Sequence, residues 1–583
     1  MRIPISKRVF FSTAAALLIV VAVLLGAERQ SKRHDLLTHN FAIKVAEVSK
    51  FKPFVVIVPS YNNSEYVEEN LGSVLSQVYP NFRVIYINDA STDDTADKVE
   101  SVVNRSAAKS RIEVWNNPRN LGALANIYRA CHSCKNDEIV VIVDGDDQLK
   151  HCNVLKELNE YYNNPDTWVT YGSYEEAPSG FIGVHSKPIN IQTLKSGRIK
   201  YKSWMTSHLK TFYAGLFKSI ALRDMMHNGE FFQMGADVAT MLPIIEMARE
   251  HTVYIRDVLY IYNLMNPSND HKKSADMQQV CEKMIRSKPV YARLETHPAE
   301  IKDMTETDTV DIVVFSFNRP LQLFAFLESL QKYGKNYKNV SVICRSSHPR
   351  FERGYAKVEQ AFPDVKLVRQ SQKKVKAFSQ FKPMVMQQVF DPEISDSKYI
   401  LFSTDDIIIK DDIDFREGIA AMNQTKAHGL FYRLGRNIDT CYMTSEHSGV
   451  PPLAMVKEGL FAWQYARGNG DWHYPNSVDF TMYRKEDIKP QLESFNFSHP
   501  TDLEGIWATK ADFNEIGLCY ETSKIVNIPV NVVAQNNNRH MDSYSEHDLL
   551  KLFLTGKKMD ITPLHKINNP SPHIDFNISF IDQ

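Results

Sequence analysis

Twice along the chain, short apolar runs that break off into polar turn residues alternate with longer helix-compatible stretches, and this alternation constrains the fold more than any other feature. The first series reads FVVIVPSYN, FRVIYINDAST, IEVWNNPRN and EIVVIVDGDD. The pattern predicts strands joined by crossover helices, hence a Rossmann-like, mainly parallel α/β sheet. In such sheets ligands bind off the carboxyl ends of the strands, and all four runs deliver polar side chains there.

The second series starts near Asp308 with TDTVDIVVFSFNRP and continues through NVSVICRSS, VKLVRQ and KYILFSTDDIIIKDDID. A charged connector punctuated by Pro289 and Pro298 separates the two. A chain of 583 residues exceeds what one core usually organises. Two tandem α/β domains are therefore expected, at 51–275 and 308–583, with the connector at 276–307. Upstream, residues 9–27 (VFFSTAAALLIVVAVLLGA) carry no charge and are long enough to span a bilayer as one helix. The reading is a basic tail at 1–8, a single-pass anchor at 9–27 and a polar stem at 28–50. The body is then expected on the non-cytoplasmic side, the Golgi or ER lumen if the host is a eukaryote.

A net charge of −1 argues against a nucleic-acid partner. Seven scattered cysteines make no disulfide framework, and the lone CxxC at Cys131 and Cys134 reads as one disulfide or two helix-borne thiols.

Asp144 and Asp146 flank Gly145 directly after the apolar run EIVVIV. Carboxylates so placed suit a hard divalent cation, Mn²⁺ or Mg²⁺, which neutralises a departing diphosphate without proton transfer. An isolated DxD is most often a solvated turn, but here it follows PSYNN and NDASTDDT in order.

In that order the motifs resemble the family 2 glycosyltransferases of the GT-A fold, over about residues 54–271. The resemblance implies a nucleotide pocket lined by Pro59, Tyr61 and Asn62, from PSYN, and by Asn120, from NPRNLG. It implies a base contact from Asp89, in a segment that departs from the family pattern at Asn88 and Ala90. Asp144 and Asp146 become donor and metal contacts, and His271 a late metal ligand. An inverting enzyme of this kind needs a carboxylate base for the acceptor hydroxyl. Asp237, opening the apolar stretch ADVATMLPIIEMA, is the candidate, with an ordinary helix start as the competing reading. Nearby, His208 and Lys210 are candidates to touch acceptor or diphosphate.

In the second series Ser316, Phe317, Asn318 and Arg319 take the place of the first strand end. Asp405 and Asp406 follow YILFST where a metal motif belongs, and Glu504 offers a helix-borne catalytic carboxylate. A second GT-A-like domain is expected, as a second transferase, an acceptor-binding copy or a structural partner. The expected function is a membrane-anchored, metal-dependent hexosyltransferase that moves a sugar from a nucleotide-sugar, UDP-linked by preference, to a glycan or protein acceptor. The alternative is a carbohydrate-binding or scaffolding protein with one or both domains inactive.

Overall fold

The computed structural model describes residues 51–267, 275–302, 308–531, 539–541 and 543–583. The expected anchor at 9–27 and its stem lie outside the described residues. Among the described residues no helix is long and apolar enough to cross a membrane.

The first unit is built on β1 (Phe54–Ser60), β2 (Phe82–Asn88), β3 (Ile112–Asn116), β4 (Ile139–Ile142), β5 (Val169–Ala177), β6 (Lys210–Tyr213) and β7 (Thr252–Asn263). Every residue of β1 and β4 is buried, as a strand covered on both faces requires. The path through the sheet is β3-β2-β1-β4-β6-β5-β7. β1 to β4 are mutually parallel, and β5 is parallel to β7. β6 alone of these strands runs antiparallel to its neighbours, so the mainly parallel sheet is mixed at that one strand. The sequence hides β6 because its four residues, KTFY, open on a lysine and lack an apolar run.

The second unit uses β8 (Val310–Phe317), β9 (Val340–Arg345), β10 (Val365–Arg369), β11 (Tyr399–Thr404), β12 (Gly429–Gly435), β13 (Thr481–Arg484) and β14 (Ile516–Tyr520). Its path is β10-β9-β8-β11-β13-β12-β14, the first path shifted by seven, with the same parallel and antiparallel pairings. Two further helices matter below: α1 (Ala236–Ala248), after β6, and α2 (Pro500–Ala508), after β13.

The connector is not a free linker. Tyr291 N–H donates to Glu246 Oε2 at 3.0 Å and Asn136 Nδ2 donates to the Ile301 carbonyl, tying residues 288–302 to the first unit. Arg223 and Glu515 form an ion pair between the units. All seven cysteines are free thiols, with Cys131 and Cys134 buried.

Candidate active site

β4 and β6 together aim the acidic turn. Ile142 lies opposite Lys210, and continuing that register sets Asp144 opposite His208. Ligand atoms of Asp144, Asp147 and His208 lie within 4.8 Å of one another. Gly145 is required for space: a Cβ there would meet the Ser60 Cβ and Oγ at 2.6 Å and Asn63 Nδ2 at 2.7 Å. The turn can therefore lie tight against the end of β1, where Gly145 N–H reaches the Pro59 carbonyl at 3.1 Å.

Asp147 is fully buried, its Oδ2 accepting from the Tyr260 hydroxyl and its Oδ1 from Asn263 N–H, both at 2.7 Å. Burial first, then repulsion from Asp146 and Asp144, pushes its carboxyl well above the usual range. His208 stacks on Tyr260, centroids 4.6 Å apart and planes within 3°. Its burial, reinforced by Lys210, draws the imidazole down to about 3, so the ring is neutral at physiological pH. Its buried Nδ1 has no hydrogen-bond partner. Crowded carboxylates beside a neutral imidazole with an unused nitrogen fit a divalent metal that accepts oxygen and nitrogen ligands.

The expected metal set is thus redrawn. Asp144 belongs to the cluster, whereas Asp146 stands outside it, its Oδ2 accepting from Asn266 Nδ2 at 2.7 Å. His271 lies outside the described residues. Asp147 was in view as the last residue of DGDD, but its membership depends on strand register, which that string does not show.

Asp237 is the second residue of α1, whose N-cap is Gly235 at φ +78°, so the carboxylate is not merely a cap. Lys210 Nζ, completely buried, donates to Asp237 Oδ1. Burial pulls the Lys210 ammonium down, but Asp237, Asp144 and Asp147 outweigh it and hold the charge. Against the upward pull of burial, the Lys210 ammonium keeps the Asp237 carboxyl below its ordinary range. An ionised carboxylate with a side chain 37% exposed therefore stands beside the cluster of Asp144, Asp147 and His208.

At the nucleotide edge, Pro59 is buried in β1 and Tyr61 is exposed. Asn62 has φ +53°; its N–H meets Ser91 Oγ at 3.0 Å and its Oδ1 accepts from Thr92 N–H at 2.8 Å, locking two strand ends together. Asp89 is buried with both oxygens engaged: Oδ1 by Asn117 Nδ2 and Leu121 N–H, Oδ2 by Gly122 N–H, all at 2.7–2.8 Å. Its expected contact with the base gives way to holding the 117–122 loop. Asn120 is exposed on that loop, its Nδ2 3.3 Å from the Asp89 carbonyl.

The second unit closes its acids instead. Arg319 Nη1 donates to Asp405 Oδ1 at 3.1 Å and to Asp406 Oδ2 at 2.9 Å. Ser316 Oγ donates to Asp405 Oδ2 at 2.7 Å, and Asn527 Nδ2 to Asp406 Oδ1 at 3.2 Å. Both expected metal ligands are committed to a guanidinium and its neighbours, so this is not an open metal site. Burial, only partly offset by Arg319, lifts Asp405 to about 6. Glu504, on α2, accepts Val478 N–H at 2.9 Å, and burial followed by the charge of Asp479 raises it to about 7. His573 Nε2 stands 3.8 Å from Asp479 Oδ2.

A mixed α/β sheet with carboxylates and an imidazole at its carboxyl edge places polar groups where ligands bind in open α/β sheets. Residues 55–222 match the model of glycosyl transferase family 2, and the first unit is a domain of that family. Among similar proteins, the bifunctional glycosyltransferase pgtA of Dictyostelium discoideum is 24% identical over 31% of this chain and 24% of its own. An uncharacterized glycosyltransferase of Haemophilus influenzae is 34% identical over 23% of this chain and 41% of its own. The chain thus spans less than half the length of both relatives. The solved structure of Staphylococcus aureus TarS 1-349 in complex with UDP-GlcNAc overlays at 22% identity and TM-score 0.31, over 40% of this chain and 65% of that one.

Proposed function

We propose that the chain is a membrane-anchored, metal-dependent glycosyltransferase whose first unit moves a sugar from a nucleotide-sugar, UDP-linked by preference, to a glycan or protein hydroxyl with inversion. The observation that carries this reading is the meeting of Asp144, Asp147 and His208 beside the ionised Asp237. Mn²⁺ or Mg²⁺ held by the cluster would supply positive charge to the leaving diphosphate. Asp237 takes the proton of the acceptor hydroxyl as its oxygen bonds to the anomeric carbon, while the carbon–oxygen bond to the diphosphate breaks with its electron pair. Lys210 fixes the position of Asp237 and keeps it ionised. The apolar stretch at 9–27 supports the anchor.

The test is a donor-turnover screen of the full chain in detergent against nucleotide-sugars, with Mn²⁺ and with EDTA, beside Asp144→Asn and Asp237→Asn. Turnover that needs metal and falls in both variants is the expected result. Donor binding without turnover under every condition would instead identify a carbohydrate-binding scaffold.

A further inference from the structure

The matching strand paths allow the two carboxyl edges to be compared residue by residue. Ser60-Tyr61-Asn62 and Ser316-Phe317-Asn318 end the first strand of each unit, and both asparagines are left-handed, at φ +53° and +56°. Ile57 lies opposite Ile142, which brings Gly145 level with Ser60; Phe315 lies opposite Thr404, which brings Asp405 level with Ser316. Asp405 is therefore the counterpart of Gly145, Thr404 of Asp144 and Arg319 of Asn63. Across the next pairing, Phe402 opposes Thr481, so Asp479 faces Thr404 as His208 faces Asp144. Thr404 Oγ1 donates to Asp479 Oδ1 at 3.3 Å where the first unit has two metal-ligand candidates.

On the other side, Ser60 pairs with Asn88 and Ser316 with Cys344, which makes Arg345 the counterpart of Asp89. The Arg345 guanidinium lies 4.0 Å over the Phe317 ring and 5.6 Å from that of Phe378. Among the described residues its Nε is buried without a partner, and burial, with no carboxylate there to offset it, draws its pKa down. A half-buried cation with no counter-charge at a strand edge is a receptor for an anion. Arg345 and Asp479 stand at strands three spacings apart, roughly 14 Å at about 4.8 Å per spacing. That is the scale of an extended nucleoside diphosphate sugar, with Glu504 and Asp479 at its far end.

We infer that the second unit is a metal-independent transfer centre for a nucleoside diphosphate sugar, in which Arg345 receives the phosphorylated moiety and Glu504 serves as the base. In the step, the acceptor hydroxyl oxygen bonds to the anomeric carbon and its proton passes to Glu504. The carbon–oxygen bond to the diphosphate breaks, and the nucleoside diphosphate leaves with the electron pair. Arg319 neutralises Asp405 and Asp406, the counterparts of Gly145 and Asp146, while Thr404 and Asp479 stand where the first unit has Asp144 and His208. This rests on the reading of the chain as a nucleotide-sugar enzyme.

The test uses the full chain in detergent carrying Asp144→Asn, in EDTA, so that the first unit is silent. Calorimetric titration with UDP and GDP should show binding that weakens at least tenfold in Arg345→Gln and less in Arg345→Lys. Release of nucleoside diphosphate from nucleotide-sugars offered with glycan acceptors should persist in EDTA and fall at least a hundredfold in Glu504→Gln, with nucleotide binding intact. No nucleotide binding in EDTA, or release unmoved by Glu504→Gln, overturns the inference. The chain carrying Glu504→Gln, assayed with Mn²⁺, reports on the first unit separately: no turnover there, with release retained in the EDTA arm, would sink the metal-dependent reading and leave this one standing.

Discussion

The two units share one sheet path and differ in what the path carries at its carboxyl edge. In the first, a glycine lets the acidic turn press against β1, leaving carboxylates and a neutral imidazole facing a common point. In the second, the glycine's place is taken by Asp405, and a guanidinium has come in to neutralise it. Backbone topology is therefore indifferent to what stands at the edge, and the choice is made by a few positions in register.

The largest difference is expected in catalysis. Asp237→Asn keeps the shape of the side chain but removes the base, and loss of such a group costs about 10²–10⁴ in rate. Metal-dependent turnover should fall by that factor, with donor affinity little changed. Mn²⁺ binding, followed by paramagnetic resonance, should survive Asp237→Asn and be lost in Asp147→Asn. A fall of less than tenfold would remove Asp237 from the chemistry.

Next in size is the closing of the second unit. Arg319→Ala would leave Asp405 and Asp406 without their guanidinium, and breaking such a buried pair costs about 3–5 kcal/mol. The matching change in the first unit, Asn63→Ala, loses the amide's donation to Ser60 at 3.1 Å and its acceptance from Asn266 at 3.2 Å and costs only about 1–2 kcal/mol. Thermal unfolding should show the second-unit variant melting several degrees below the first-unit one. Equal shifts would mean that Arg319 does not neutralise the pair.

Much of this architecture can be read from the sequence, because buried parallel strands advertise themselves as continuous apolar runs. β1, β2, β4, β8, β9 and β11 all correspond to runs picked out there. Antiparallel β6 and β13 do not, since four residues such as KTFY or TMYR carry no usable period. That omission hides the site as well. His208 and Asp479 face the acidic turns only through β6 and β13, and the string STDD resembles a doubled metal motif until pairing with β8 sets Asp405 beside Ser316. Asp237 and Glu504 could be named as candidates because each lies in a helix-compatible stretch, although a further strand, β7 or β14, follows each helix.

A smaller effect concerns protons. Glu504 is raised from an ordinary 4.5 to about 7, so the folded chain holds this proton more tightly than the unfolded chain does. Its contribution to stability is fully present below about pH 4.5 and is lost as pH rises through 7. Melting temperature should therefore decline between pH 5 and 8, and Glu504→Gln should flatten part of that decline. An unchanged slope would show that Glu504 titrates as an ordinary surface carboxylate. In the same variant, metal-dependent turnover by the first unit should keep its pH profile, because that unit's base is Asp237.

The smallest effect expected belongs to a position where only one unit carries strain. Ala90 sits at φ +57°, directly after Asp89, while Ser346, the residue after Arg345, has no positive φ. A left-handed alanine costs roughly 1–2 kcal/mol, because its Cβ crowds the following carbonyl. Ala90→Gly removes that strain but returns roughly 0.4–1 kcal/mol of unfolded-state entropy. The net gain is about 0.5–1 kcal/mol, a rise of one to a few degrees in melting temperature. Ser346→Gly has no strain to relieve and loses the Ser346 Oγ hydrogen bond to Glu352 Oε2 at 2.8 Å, so it should lower stability by about 1–3 kcal/mol. Opposite signs at these two matched positions would confirm that the 89–95 turn is held in place by the contacts of Asn62 with Ser91 and Thr92. A fall in stability in both would show that Ala90 is not strained and that the two turns differ only in their side chains.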